Sequence, residues 1–180
     1  MSLFLFELVP ATADRSGASA VLEEVDKAAA TAGAEFIESQ VTGAHDRVFA
    51  VVEAASADAL GDAFTAANLA SATEVVGPDE VRLVGAELAQ IKAAKPTAGY
   101  LVEWDFPDGL DMDTYLARKK AKAPLYANVP EVAFLRTYVR EDMTKCLCFY
   151  DADDEAGVVK AREVVDTPID RLHQLATDNG

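Results

Sequence analysis

Glu7 alone interrupts the apolar run Leu3–Pro10, and Glu103 and Asp105, two apart, interrupt the matching run Gly99–Pro107. A period of two is the signature of a strand with one buried face. Phe4, Phe6 and Leu8 share one face with Tyr100, Val102 and Trp104 in the matching stretch, leaving Leu5, Glu7, Leu101, Glu103 and Asp105 on the other. The period then changes. Val21, Leu22, Val25, Ala28, Ala29 and Ala32 form one apolar stripe at helical spacing, with Ser19 a candidate cap.

Residues 36–54 lie over residues 134–152 at a constant offset without a gap, and both copies read as strand, turn, strand. A second helix follows each, over Ala57–Ala67 and Glu155–Asp166, and a short strand closes each near Val81–Val84 and Arg171–Leu175. In the second copy Asp113 is placed to cap a helix over Thr114–Tyr126 that Pro124 disturbs near its end, and Asp153 or Asp154 to cap the last helix. The order is β-α-β-β-α-β, twice. The expected fold class is therefore α+β, with tandem ferredoxin-like units at 1–88 and 99–180 and a linker at 89–98 in which Pro96 ends any helix. Helices cover one face of such a sheet and leave the other bare. Two bare faces within one chain are best shielded by each other, so facing sheets closing an α/β barrel are expected, or failing that a dimer on the same principle.

On the second strands the alternation assigns Ile37, Ser39 and Val41, and Leu135, Thr137 and Val139, to the helix-covered core. Phe36, Glu38, Gln40, Phe134, Arg136 and Tyr138 fall on the other face. Glu7, Glu38, Gln40, Glu103, Arg136 and Tyr138 are thus the candidate ligand-binding set, since buried charges need partners. In the bland reading Arg136 pairs with Glu7, Glu38 or Glu103 and only fixes the packing. In the sharper one, neighbouring carboxylates raise the pKa of Glu7 or Glu103 into the range of a general acid or base, while Arg136 holds an anionic group and Tyr138 donates or stacks.

With 16 basic against 31 acidic residues in 180, the net charge is −15. That excludes the phosphate-tracking surface of a nucleic-acid binder and adhesion to an anionic membrane. The Met-Ser-Leu start has no basic leader and the two cysteines build no disulfide scaffold, so a cytoplasmic location is expected. Cys146 and Cys148 point to one side of a strand, where two small buried thiols are the plain reading. His45 falls in a turn. His173 falls in the closing strand, within reach of the cysteines if they share a side. The basic run Arg118, Lys119, Lys120, Lys122 reads as a solvated helix face.

Tyr100–Gly109, Thr137–Ala152 and Pro168–Leu172 resemble a family of small bacterial nickel-binding proteins with a ferredoxin-like fold. The glutamate of the first strand and the lysine, cysteine and Tyr-Asp-Ala run of the third recur in order. The resemblance implies a tandem or homodimeric sandwich that binds nickel or another divalent metal, for which Glu103, Cys148 and His173 are the candidate ligands. The chain departs from the family where a histidine is frequent and Arg136 stands, since a guanidinium is no metal ligand. The expected function is small-molecule or divalent-metal binding. The alternatives are a small enzyme performing acid-base or cofactor-free oxygenation chemistry, and a structural or assembly protein. A homodimer through edge strands is among the expected states.

Overall fold

Helix boundaries in the computed structural model, which describes residues 1–94 and 97–177, are set by side-chain caps. Asp14 accepts from the Gly17 N–H and starts α1 (Arg15–Thr31), so the cap is Asp14 and Ser19 lies inside the helix. Ser56 starts α2 (Ala57–Ala67) and Asp154 starts α5 (Glu155–Val164). The helix in 112–122, α4 (Met112–Lys122), begins two residues earlier than its apolar pattern suggests, because Asp111 rather than Asp113 accepts from the Thr114 N–H. Pro124 then sits at the start of a 3₁₀ turn over Ala123–Asn128, where its missing N–H costs nothing. A further short helix, α3 (Leu88–Ala94), fills most of the expected linker. Pro96, expected to end it, lies outside the described residues.

The described residues form an α+β fold of eight antiparallel strands and five α-helices. They divide into two compact units. Among the described residues the first comprises Met1–Val81 with 87–94, 97 and 175–177, and the second Arg82–Ala86 with 98–174.

In the first unit the strand order is β2 (Glu35–Val41), β3 (Val48–Ala54), β1 (Ser2–Pro10), β4 (Ala72–Val84). Its core lies under α1 and α2, where Phe4, Phe6, Leu8, Val21, Val25, Ala50 and Val52 are buried and the Phe6 and Phe64 rings stack at 3.9 Å. β4 is far longer than the closing strand expected at Val81–Val84. Gly77, at φ +124°, brings its backbone so near Leu5 that a Cβ would stand 2.5 Å from the Leu5 carbonyl oxygen, and the register with β1 shifts there.

In the second unit the order is β6 (Ala133–Arg140), β7 (Lys145–Asp151), β5 (Tyr100–Asp105), β8 (Arg171–Gln174). Its core holds Tyr100, Val102, Trp104, Tyr115, Val139, Cys146, Cys148, Tyr150, Val158 and Ala161. With α3 set aside, the strands and α-helices of each unit run β-α-β-β-α-β.

Strict alternation fails at the matching point of the second strand in each unit. A register shift separates Phe36 from Glu38 and another separates Phe134 from Arg136. The extra residue returns Phe36 and Phe134 to the helix-covered face, where they pack on the two cores, and not to the opposite face expected for them. Glu38, Gln40, Arg136 and Tyr138 stay on the opposite face, because they follow the shift and pair with Val51, Phe49, Phe149 and Leu147. The tight turns after β2 and β6 also share a feature: His45 and Met143 both adopt φ +57°.

Candidate functional site

Glu103 is fully buried on the opposite face of the second unit. Its neighbours across the ladders are Leu147 on β7 and Arg171 on β8, and the next row along places Arg136, Phe149, Leu101 and His173 side by side. Lys145 Nζ lies 2.8 Å from its Oε1, while Arg171 Nε and His173 Nε2 lie 2.9 and 2.7 Å from its Oε2. Burial alone would raise the Glu103 pKa. Hydrogen bonds from His173, Lys145 and Arg171 outweigh it and hold the carboxyl well below the usual range, opposite to the rise expected from the sequence. Glu103 is therefore a fixed anion and no proton shuttle near neutral pH. Arg171 also chelates Asp105 at 2.6 and 3.0 Å.

Arg136 lies two strands from Glu103, its guanidinium 4.8 Å above the Phe149 ring, with Tyr138 edge-on to the same ring. In the first unit Glu7 accepts from Arg47 Nη2 at 3.3 Å and Gln40 donates to Glu38 at 3.2 Å.

The three expected metal ligands do not converge. Glu103 and His173 touch, but Cys148 pairs with Val102 on the ladder and points to the helix-covered face, as does Cys146. Adjacent positions of a strand point to opposite sides, so Glu103 cannot share an ion with a residue in register with Val102. The same alternation separates His173, in register with Leu101, from both thiols.

What surrounds Cys148 is a second constellation. A cavity of about 30 Å³ beneath α4 and α5 is lined by Trp104, Tyr115, Tyr126 and Cys148 and by four cations, Arg118, Lys119, Lys122 and Arg162. By the same measure a water occupies roughly 10–15 Å³, so the space suits two waters or a small ion. It adjoins a wider cleft that shares Trp104, Arg118, Arg162 and Thr167 and adds Pro107, Leu110, Pro168 and two carboxylates, Glu163 and Asp166. No carboxylate lines the inner cavity.

The polar chain inside runs from Lys119 Nζ, which donates to Thr137 Oγ1 at 3.2 Å, to Thr137, which donates to Cys148 Sγ at 3.2 Å. Cys146 Sγ stands 3.8 Å from Cys148 Sγ. The Cys146 thiol, then Arg162, Lys119 and Thr137, outweigh burial and hold Cys148 below the ordinary thiol range, while burial pushes Cys146 up. Burial also lowers Lys119. Arg162 is 3% exposed and donates through Nη1 to the Tyr150 hydroxyl at 3.2 Å and through Nη2 to the Pro168 carbonyl at 2.5 Å. Its Nε–H has no acceptor.

The sequence pattern puts Lys119 on a solvated face and does not single out Arg162. The signal was present: Lys119 stands four residues after Tyr115 and Arg162 four after Val158, so each shares a helix stripe with a core residue. The basic run on α4 is thus not wholly a solvated face.

Residues 100–175 match the model of the SCO4226-like family, described as nickel responsive protein SCO4226-like. The second unit carries the family match. No curated protein matches the chain. Among solved structures, a "putative chlorite dismutase" is 15% identical with a TM-score of 0.57, covering 98% of this chain and 95% of that one. A "putative monooxygenase" from Lactobacillus acidophilus NCFM is 15% identical with a TM-score of 0.52, covering 98% and 94%. At that identity the likeness is one of fold. The family match speaks for metal or small-molecule binding in general. Among the described residues, no helix is long and apolar enough to cross a membrane.

Proposed function

We propose that this chain is a small-molecule-binding protein whose second unit takes a small anion, or the anionic head of a larger molecule, into the cavity beneath α4 and α5. One observation carries the reading. Four cations and no carboxylate line this space in a chain of net charge −15, and the buried Nε–H of one of them, Arg162, lacks an acceptor. A buried donor left unmade costs about 1–3 kcal/mol. Trp104, Tyr115 and Tyr126 supply apolar walls that strengthen the attraction by excluding water. Calorimetric titration with thiocyanate and with formate at fixed ionic strength tests this. Saturable binding that is lost in Arg162→Gln and weakened in Lys119→Met supports it, and heats no larger than dilution in the parent chain refute it.

Nickel is the reading the family's description favours, and the residues here do not suit it. Both Glu103 oxygens already accept from cationic or imidazole donors, and an ion on the Glu103–His173 pair would stand against Lys145 and Arg171. Among the described residues no group of three or more His, Cys, Asp or Glu side chains is placed to hold a metal. Elemental analysis of untagged protein should find no stoichiometric nickel. Stoichiometric nickel that disappears in Glu103→Gln would restore the metal reading.

The tandem repeat, the facing-sheet barrel and the cytoplasmic location remain proposals supported by the sequence pattern. The opposite-face polar side chains, Glu7, Glu38 and Gln40 in the first unit and Glu103, Arg136 and Tyr138 in the second, are proposed as a further ligand-contacting set on the same basis.

A further inference from the structure

We propose that Cys148 is a peroxide-reactive cysteine, and that the cavity beneath α4 and α5 admits a hydroperoxide to it. The inference rests on the same cavity and deepens its reading. Cys148 lines the space together with Lys119 and Arg162, and Thr137 aims its hydroxyl at the sulfur. Reactive cysteines occupy electropositive surroundings with access from outside, and for Cys148, which is 1% exposed, the cavity is the route that supplies it. Cys146, on the same face, does not line the cavity and so serves as an internal control.

The space also fits the reagent. Room for about two waters is room for the O–O unit of a peroxide, and the adjoining cleft, with Pro107, Leu110, Trp104 and Pro168, can take an apolar substituent on the second oxygen. Arg162 lines the same space and keeps a positive charge beside the peroxide. No residue at the corresponding place in the first unit could do this: the offset that aligns the units puts Ala50 where Cys148 stands and Val48 where Cys146 stands.

The step balances as follows. The Cys148 thiolate attacks one peroxide oxygen and an S–O bond forms as the O–O bond breaks. Sulfur is oxidised by two electrons and the peroxide is reduced. The departing hydroxide or alkoxide leaves with the electron pair and takes a proton from the Lys119 ammonium, giving water or an alcohol, Cys148 sulfenic acid and a neutral Lys119 that water reprotonates. An external low-molecular-weight thiol returns the sulfenic acid through a mixed disulfide. Cys146 is poorly placed to do so, because positions two apart on an extended strand have Cα atoms roughly 6.5–7 Å apart, at the limit of disulfide geometry.

The test is to expose the folded full chain to hydrogen peroxide or tert-butyl hydroperoxide with dimedone present, and to locate the adduct by peptide mass spectrometry. The expected result is an adduct on Cys148 and not on Cys146. Its rate should fall in Lys119→Met by roughly 10²-fold, the usual contribution of a general acid, while Lys120→Met, one residue along the same helix, leaves the rate unchanged. Faster labelling by the bulkier peroxide assigns the cleft to its substituent, and faster labelling by hydrogen peroxide confines the site to the inner cavity; either supports the thiolate. Equal labelling of both cysteines, or labelling only after denaturation, overturns it. Thiocyanate separates this from the anion reading. If it binds yet Cys148 stays unreacted, the thiolate proposal alone fails, and if Cys148 reacts selectively while thiocyanate does not bind, the anion reading alone fails.

Discussion

Replacing Glu103 by Gln removes one buried charge and almost no volume. The carboxylate accepts from Lys145 at 2.8 Å, Arg171 at 2.9 Å and His173 at 2.7 Å, and it is fully buried. Breaking a buried ion pair from one side costs about 3–5 kcal/mol when the partner charge is stranded. Lys145 is 12% and Arg171 39% exposed, and Arg171 keeps its chelate to Asp105, so the stranded charges are partly rehydrated. The glutamine also keeps one acceptor oxygen while turning an NH₂ toward donors. The expected loss is therefore near the low end, about 3 kcal/mol, or roughly 6–12 °C in Tm for a chain of this length. Urea denaturation followed by far-ultraviolet circular dichroism at neutral pH reads it directly. The pH dependence supplies a second readout. Because the folded Glu103 pKa is lowered, its contribution is complete above the ordinary carboxylate pKa and is lost as pH falls through the folded value. The gap between parent and variant should shrink from about pH 5 toward pH 2. Equal stability at neutral pH, or a gap that ignores acid, would refute the reasoning.

Other consequences follow from packing. Phe64→Ala removes half of the Phe6–Phe64 stack beneath α2 and should cost about 3–5 kcal/mol by denaturant titration; a loss under about 1 kcal/mol would mean the core collapses around the void. Gly85→Ala places a Cβ 2.8 Å from Phe134 Cε1 at φ +88°, and should cost about 1–3 kcal/mol in the same assay. An alanine as stable as glycine there would show that Phe134 yields freely.

Much of the fold is legible in the sequence because burial writes itself into alternation. Phe4, Phe6 and Leu8, and Tyr100, Val102 and Trp104, fall on the faces their spacing implies. α2 spans the residues expected of it, since Ser56 and the left-handed Asn68 bracket an apolar stripe. Phe36 and Phe134 escape that logic, because a one-residue shift exchanges the faces before it and leaves no mark in composition. β4 was hidden by Gly77 and Pro78, residues that ordinarily end a strand.

The site was legible only in pieces. Glu103 and His173 stood out as chemistry-bearing residues, but their meeting with Lys145 and Arg171 depends on which strands neighbour β5, which a single strand's pattern does not encode. Lys119 reads as part of a solvated basic face, and Arg162 does not stand out in the sequence at all. Their long stems let a charged head reach inward from a helix stripe shared with core residues, so residue type alone conceals them.

The central claim, that the cavity around Arg162 holds an anion, has a built-in reporter in Trp104, the chain's single tryptophan and part of the cavity lining. Its fluorescence titrated with thiocyanate at constant ionic strength should change along a saturating curve in the parent chain and lose that saturation in Arg162→Gln. A response that grows linearly with thiocyanate and is identical in both proteins would contradict the account.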